Sequence, residues 1–201
     1  MERKVQQRTI ENREKLLSAS QECFSKYGYH NTNIREITKI AGLSTGVFYR
    51  YFENKDSLFL TLVEQYFEES LAYMREMLSI REKFPNKAEA KAILLPIIQE
   101  TLSRSNENKV FLTDATIIEK DIPELYAIRK KGILAIDNCI EEYLKKYYPN
   151  SNMDYKITAH LINTTTDAIG KDISNSSYGY DNQKYCEIFV DYILYFAYDL
   201  A

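Results

Sequence analysis

"AGLSTGVFYRYFENK", residues 41–55, sets a turn and a run of rings side by side. Gly42-Leu43-Ser44 has the composition of a tight turn, and Tyr49, Arg50, Tyr51 and Phe52 follow it in a row. Four consecutive side chains cannot all face one core. On a helix, Val47 and Tyr51 share one side while Phe48 and Phe52 share a neighbouring one. Phe48 and Phe52 are therefore the expected core anchors with Val47, and Tyr49 and Arg50 point away from them. Upstream, Asn33 is placed to cap a helix and Glu36 stands at the reciprocal N3 position. Ile34, Ile37 and Ala41 form the buried edge of that helix, and Gly42 ends it. Ser44 then caps a second helix over about 45–51. A capped helix, a turn and a short second helix make a helix-turn-helix pattern, in which the second helix enters the major groove of DNA. Arg can pair bidentately with guanine or with a phosphate. A Tyr hydroxyl can donate to phosphate while its ring packs on sugar or a thymine methyl. Gly46 lets the backbone approach closely with no side chain in the way.

Working outward, almost the whole chain reads at the helical period. Only 6 glycines and 4 prolines punctuate 201 residues. A first helix is predicted over about 9–27, with an apolar face of Ile10, Leu17 and Phe24 beside Leu16, Ser20, Cys23 and Tyr27. Gly28 stops it. Asn54 caps a fourth helix over about 55–80, striped by Leu58, Leu62 and Tyr66, then Leu71, Met74 and Leu78. Further helices are predicted over about 87–103 (with Pro96 inside, where a kink is expected), 109–120, 123–147, 154–172 and 182–200. Asp121, Pro123 and Glu124 mark the start of the seventh. Residues 174–181 read as a loop. The fold class is all-α, with about nine helices.

Composition narrows the function. With 45% hydrophobic and 27% charged residues, the chain has the make-up of an ordinary globular protein. No apolar run approaches the ~20 residues of a membrane span, and the polar first residues lack a signal peptide's apolar stretch. A cytoplasmic protein is expected. Cys23, Cys139 and Cys186 are far apart and odd in number, and His30 and His160 are isolated, so neither a disulfide framework nor a metal site is expected. No Gly-rich phosphate loop, nucleophile elbow or zinc-protease motif occurs. The chain is not expected to be an enzyme, and no catalytic residue, metal or cofactor is assigned. Charge is uneven: residues 1–55 hold 10 Lys plus Arg against 6 Asp plus Glu, net +4, and the other 146 hold 16 against 23, net −7. A basic head on an acidic body points to a polyanion as partner of the head alone.

Residues 24–59, "FSKYGYHNTNIREITKIAGLSTGVFYRYFENKDSLF", resemble the DNA-binding domain of TetR-family transcriptional regulators. Phe24, Gly28, Tyr29, Thr32, Ile37, Ala41, Gly42, Ser44, Gly46, Tyr49, Tyr51, Phe52, Lys55, Leu58 and Phe59 carry the resemblance. It covers about 9–60. Beyond that, only helix number, length and order agree. The resemblance implies a homodimeric regulator, commonly a repressor, that binds a double-stranded DNA operator and is released by a small-molecule effector. It implies DNA contact at Thr32 and Asn33 where the second helix begins, and at Ser44, Thr45 and Gly46 where the recognition helix opens. Tyr49 and Tyr51 match backbone- or base-contacting positions, Arg50 a variable slot that carries sequence preference, and Lys55 a phosphate-gripping one. Many members have Lys where this chain has Thr45, so one cation is missing from the DNA face.

The expected domains are a helix-turn-helix head, 1–54, and a ligand-binding and dimerisation domain, 55–201. The last two helices are the expected dimer interface. Leu161, Thr165 and Ala168 supply small or slender residues on one helix, and Tyr185, Phe189, Tyr192 and Phe196 supply bulk on the other. Two helices per subunit would form a four-helix bundle about a twofold axis. Candidates to orient an effector are polar residues near apolar stripes: Asp114, Tyr126, His160, Asn163 and Thr164. The rival reading is an all-helical small-molecule binding or carrier protein without specific DNA binding.

Overall fold

The computed structural model describes residues 2–79, 86–107, 109–149, 152–175, 179 and 181–198. Among them the secondary structure is nine α-helices and one short 3-10 turn, with no strand. The helices are α1 (Glu2–Asn31), α2 (Ile34–Ile40), α3 (Thr45–Phe48), α4 (Lys55–Ser79), α5 (Lys87–Glu107), α6 (Lys109–Ile117), α7 (Pro123–Tyr147), α8 (Tyr155–Asn175) and α9 (Asn182–Tyr198). The all-α expectation therefore holds. Ile80, at the predicted end of the fourth helix, lies outside the described residues.

Three predicted boundaries shift for local reasons. Helix α1 begins several residues before the apolar stripe. Apart from Val5, residues 2–8 are Glu, Arg, Lys and Gln, good helix formers, and residues 6–10 are exposed. At the other end, Gly28 adopts φ 76° and breaks the helical path, while the chain continues through Tyr29 to Asn31. The recognition helix is shorter than predicted. It is regular only over Thr45–Phe48, and the chain then goes on in a turn to Tyr51, whose N–H donates to the Phe48 carbonyl at 2.9 Å.

The chain forms two compact units. The first comprises Met1–Tyr66 and Asn108–Arg129. Leu16, Cys23, Phe24, Ile37, Phe48, Leu58, Phe59 and Val63 are fully buried there. A chain of rings links its core: Phe24 meets Phe59 at 5.1 Å, and Phe59 meets Phe111 of α6 at 5.0 Å. Such pairs contribute about 0.5–1.5 kcal/mol beyond their area. The second unit comprises Phe67–Glu107 and Lys130–Ala201. One cluster there joins Ala90 and Ile98 of α5 to Cys186, Phe189, Val190 and Leu194 of α9. Another joins Ile136, Ile140 and Leu144 of α7 to Ala159 of α8. Gly132 of α7 lies so near Phe67 that a Cβ would overlap that side chain.

Candidate nucleic-acid interface

The helix-turn-helix is built by side chains that close each helix start. Asn33 Oδ1 accepts the Glu36 N–H at 3.0 Å, and the Glu36 carboxylate accepts the Asn33 N–H at 3.4 Å, completing a capping box. At the other end of α2, Gly42 takes φ 66°. Its N–H donates to the Lys39 carbonyl at 3.2 Å, and the Leu43 N–H donates to the Thr38 carbonyl at 2.9 Å. This pair of bonds is a Schellman ending, which favours glycine at the left-handed position. Ser44 Oγ accepts the Val47 N–H at 3.3 Å and opens α3. Asn54 Oδ1 accepts the Ser57 N–H at 2.8 Å and opens α4.

The four ring-and-guanidinium positions divide as their spacing requires. Phe48 is fully buried and Phe52 nearly so, with ring centroids 5.7 Å apart. The Arg13 guanidinium lies 5.7 Å from the Phe52 ring centre. Tyr49 is 57% exposed. Arg50 is exposed and Tyr51 half-buried. Ser44 and Gly46 are exposed, Thr45 is half-buried, and Arg35 and Lys39 of α2 are exposed. Tyr49, Arg50 and the opening of α3 are thus available to a partner.

Of the residues assigned to phosphate, Thr32 is buried in the fold, and Lys55 spends part of its donor set there. The Thr32 side chain is 2% exposed, and its hydroxyl donates to the Gly28 carbonyl at 2.8 Å. Its N–H donates to the Tyr29 carbonyl at 3.3 Å. Burial and these partners withdraw Thr32 from any ligand, so its side chain positions the α2 start. The Lys55 ammonium donates to the Tyr29 carbonyl at 2.7 Å and the Thr32 carbonyl at 3.1 Å, and lies 4.1 Å from the Tyr29 ring centre. Burial pushes its pKa down, against the pull of the Asp56 carboxylate. Of three N–H donors, two serve the α1–α2 junction and one remains. Tyr29 in turn donates its hydroxyl to Asp56, and burial first, then that bond, pushes the phenol pKa up.

The candidate effector residues fall in both units. Asp114 lies in the first unit and accepts the Tyr29 N–H, so it braces the head. Tyr126 lies in the same unit, exposed on α7. His160, Asn163 and Thr164 do come together on α8. His160 Nδ1 and Asn163 Nδ2 donate to the Asp137 carboxylate at 2.8 and 2.7 Å. A carboxylate only accepts, which places the proton on Nδ1. Thr164 Oγ1 stands 3.4 Å from His160 Nε2. Asp137, 6% exposed, is the centre that the sequence reading missed. Its one sequence signal was an acidic residue beside Ile136 in the apolar stripe of α7. Among the described residues, no three His, Cys, Asp or Glu side chains are placed to hold a metal ion.

On the last two helices, Thr158, Leu161, Ile162, Thr165, Tyr192 and Ile193 line a shallow groove. Leu161, Thr165 and Tyr192 therefore share one surface, and Ala168 is exposed further along α8. Phe189 turns the other way into the core of its own unit, because it falls on the side of α9 that packs on α5. Tyr185 is half-buried with its hydroxyl 3.1 Å from Asp172. The Phe196 side chain lies outside the described residues.

A sequence model described as "Bacterial regulatory proteins, tetR family" matches residues 16–62, the segment that builds this interface. Among curated relatives in Bacillus subtilis (strain 168), the chain is similar to the fatty acid metabolism regulator protein. The two are 26% identical over 157 residues, 76% of this chain and 78% of that protein. It is also 26% identical over 153 residues to the uncharacterized HTH-type transcriptional regulator YdgC, 76% of each. Its fold is like that of the transcriptional regulator FadR from Bacillus subtilis, solved in complex with stearoyl-CoA. That likeness has a TM-score of 0.64 at 18% identity, over 89% of this chain and 96% of that one. No described helix is long and apolar enough to cross a membrane. With its capped helix, glycine turn and exposed Tyr-Arg pair, the segment 16–62 is a DNA-binding domain of the tetR family, and the chain is a DNA-binding transcriptional regulator.

Proposed function

We propose that the protein is a homodimeric repressor that reads an operator through α3 and leaves it when a small molecule binds the body of the chain. The observation that carries this is the division of α3 and its flank. Phe48 anchors while Tyr49 and Arg50 stand exposed beside the free openings at Ser44 and Gly46. In this reading the DNA contacts lie within 1–54, joined by Asn33, Thr45, Tyr51 and the remaining donor of Lys55. Residues 55–201 carry effector binding and dimerisation. A regulator of this kind meets its operator in the cytoplasm. Leu161, Thr165, Ala168 and Tyr192 form the subunit contact. Two heads fit successive major grooves only when their recognition helices stand ~34 Å apart. An effector that binds better to a different spacing therefore shifts the population off DNA. Long-chain acyl-CoA thioesters are the first effector class to try, because a related fold carries stearoyl-CoA. His160, Asn163 and Thr164, gathered on Asp137, are polar groups to test against it.

The test is selection of duplexes from a random pool by the purified full-length protein, with the DNA upstream of its own gene assayed beside an unrelated duplex. The expected result is one preferred sequence. Tyr49→Ala and Arg50→Ala should each then lose about tenfold or more in affinity, with helicity and oligomeric state unchanged. Wild-type affinity in both variants would overturn the assignment of α3. Equal, weak binding to every duplex would favour the carrier reading. Stearoyl-CoA should lower affinity for the selected duplex, and no shift would remove acyl-CoA from the candidates.

A further inference from the structure

We infer that Asp114 is a positioning residue for DNA binding, holding the α1–α2 junction so that the Lys55 ammonium is presented to a phosphate. The inference rests on the DNA-binding reading and adds to it a residue distant from the helix-turn-helix in sequence. Asp114 stands on α6, 85 residues beyond the residue it braces. Its Oδ2 accepts the Tyr29 N–H. The same oxygen lies 2.9 Å from where a Cβ on Gly28 would sit. Gly28 is favoured by its φ of 76°, and a Cβ there would press on the carboxylate end of Asp114.

The break at Gly28 exposes backbone groups that a continuous helix would satisfy internally. Each finds a partner. The Tyr29 N–H goes to Asp114, the Gly28 carbonyl accepts the Thr32 hydroxyl at 2.8 Å, and the Tyr29 carbonyl accepts Lys55 Nζ at 2.7 Å. The Thr32 carbonyl accepts the same ammonium at 3.1 Å. Asp114 and Lys55 thus hold the two ends of one peptide segment, Asp114 from the N–H side and Lys55 from the carbonyl side. The Tyr29 ring is fixed as well, by Asp56 at its hydroxyl and by Phe59 at 5.0 Å. Without an acceptor at 114, the Tyr29 N–H must turn to water. The Gly28–Tyr29 peptide plane rotates with it, and the Tyr29 carbonyl that aims the Lys55 ammonium shifts through the torsions at Tyr29. The effect of Asp114 on DNA runs through this segment, since the carboxylate is spent on the Tyr29 N–H.

The experiment measures affinity for the selected duplex against salt concentration, using full-length wild type, Asp114→Ala, Asp114→Asn, Lys55→Met and the Asp114→Ala/Lys55→Met double variant. Each phosphate neutralised contributes about 0.9 to the log–log slope. Lys55→Met should lower the slope by about that amount, Asp114→Ala should lower it equally, and the double variant should show no further loss. Affinity of Asp114→Ala at moderate salt should fall about tenfold, the scale of one hydrogen bond to a charged group. Asp114→Asn keeps an amide oxygen for the Tyr29 N–H and should retain the wild-type slope and exchange protection at the Tyr29 amide. A smaller folded fraction alone would leave the slope unmoved. A wild-type slope in Asp114→Ala or Lys55→Met, or additive losses in the double variant, would overturn the inference. If Asp114→Ala does not fold, Asp114→Asn decides: a lowered slope with the Tyr29 amide still protected would overturn it. Failure of wild type to select any duplex is a different result, and it would strike at the DNA reading itself.

Discussion

The surface around α3 and the surface shared by α8 and α9 are both left open by the chain, yet they differ in chemistry. Around α3 the exposed groups are Tyr49 and Arg50, with Arg35 and Lys39 close by in sequence on α2. Their apolar neighbours, Phe48 and Phe52, are inside. On α8 and α9 the large apolar groups left exposed are Ile157, Leu161, Ile188, Tyr192 and Tyr195. One surface offers donors and positive charge on a rigid backbone; the other offers apolar area. The first suits a polyanion, where hydrogen bonds and counterion release supply affinity. The second suits another apolar surface, since contiguous exposed patches of this kind mark association sites. Two adjacent ring residues can therefore have opposite roles, and substitution at each region should expose the difference.

The largest effect is expected where a ring is mistaken for a contact. Phe48→Ala removes a fully buried side chain and should cost about 3–5 kcal/mol of stability. Its neighbour Tyr49→Ala should stay within about 0.5 kcal/mol of wild type in denaturant unfolding, while losing DNA binding. Similar stability losses in the two variants would erase the distinction between anchor and reader.

On the other surface, Leu161→Glu or Tyr192→Glu places a carboxylate in the groove they line. In a dimer built there, desolvating that charge should weaken association by about 2 kcal/mol or more, the scale of an interfacial hot spot. Sedimentation at micromolar concentration should then show monomer with native helicity. A dimer as tight as wild type would mean that α8 and α9 meet no second subunit.

The two regions also differ in how far they can be read from sequence. Asn33, Glu36, Gly42, Ser44 and Asn54 act within four residues of themselves, so the spacing alone placed their caps and turns. The split of Phe48 from Tyr49 followed from helical period for the same reason. The roles of Thr32, Lys55 and Asp114 were not legible. Each is decided by a partner brought in by the fold, at 4, 23 and 85 residues' distance. Thr32 fails even at short range, because its burial depends on the glycine break before it. On α9 the periodic stripe of Phe189 and Tyr192 looked like one face. It is wide enough to be shared between the unit's own core and the open groove.

A smaller effect tests packing away from both surfaces. In an exposed helix, Gly→Ala usually gains stability, by about 1 kcal/mol. At Gly132 the added methyl meets the Phe67 side chain. Overpacking of this kind costs about 1–3 kcal/mol, so Gly132→Ala should be net destabilising in denaturant unfolding with an unchanged m-value. A stabilised variant would show that α7 and Phe67 have room to separate.

The smallest effect lies at Thr45, where the family resemblance led to an expected Lys. Thr45 is half-buried at the first turn of α3, directly after the Ser44 cap. A lysine there can pass its stem along the helix and keep its ammonium in water, so Thr45→Lys should fold as wild type does. If the opening of α3 lies against the DNA backbone, the new cation should steepen the salt dependence by about 0.9 in log–log slope. The increment reports on position 45 alone, since the Ser44 bond that opens the helix is untouched. An unchanged slope would move position 45 off the phosphate path. The contacts of α3 would then have to begin at Gly46 and Tyr49, and the lack of a lysine would leave this chain's DNA affinity unaltered.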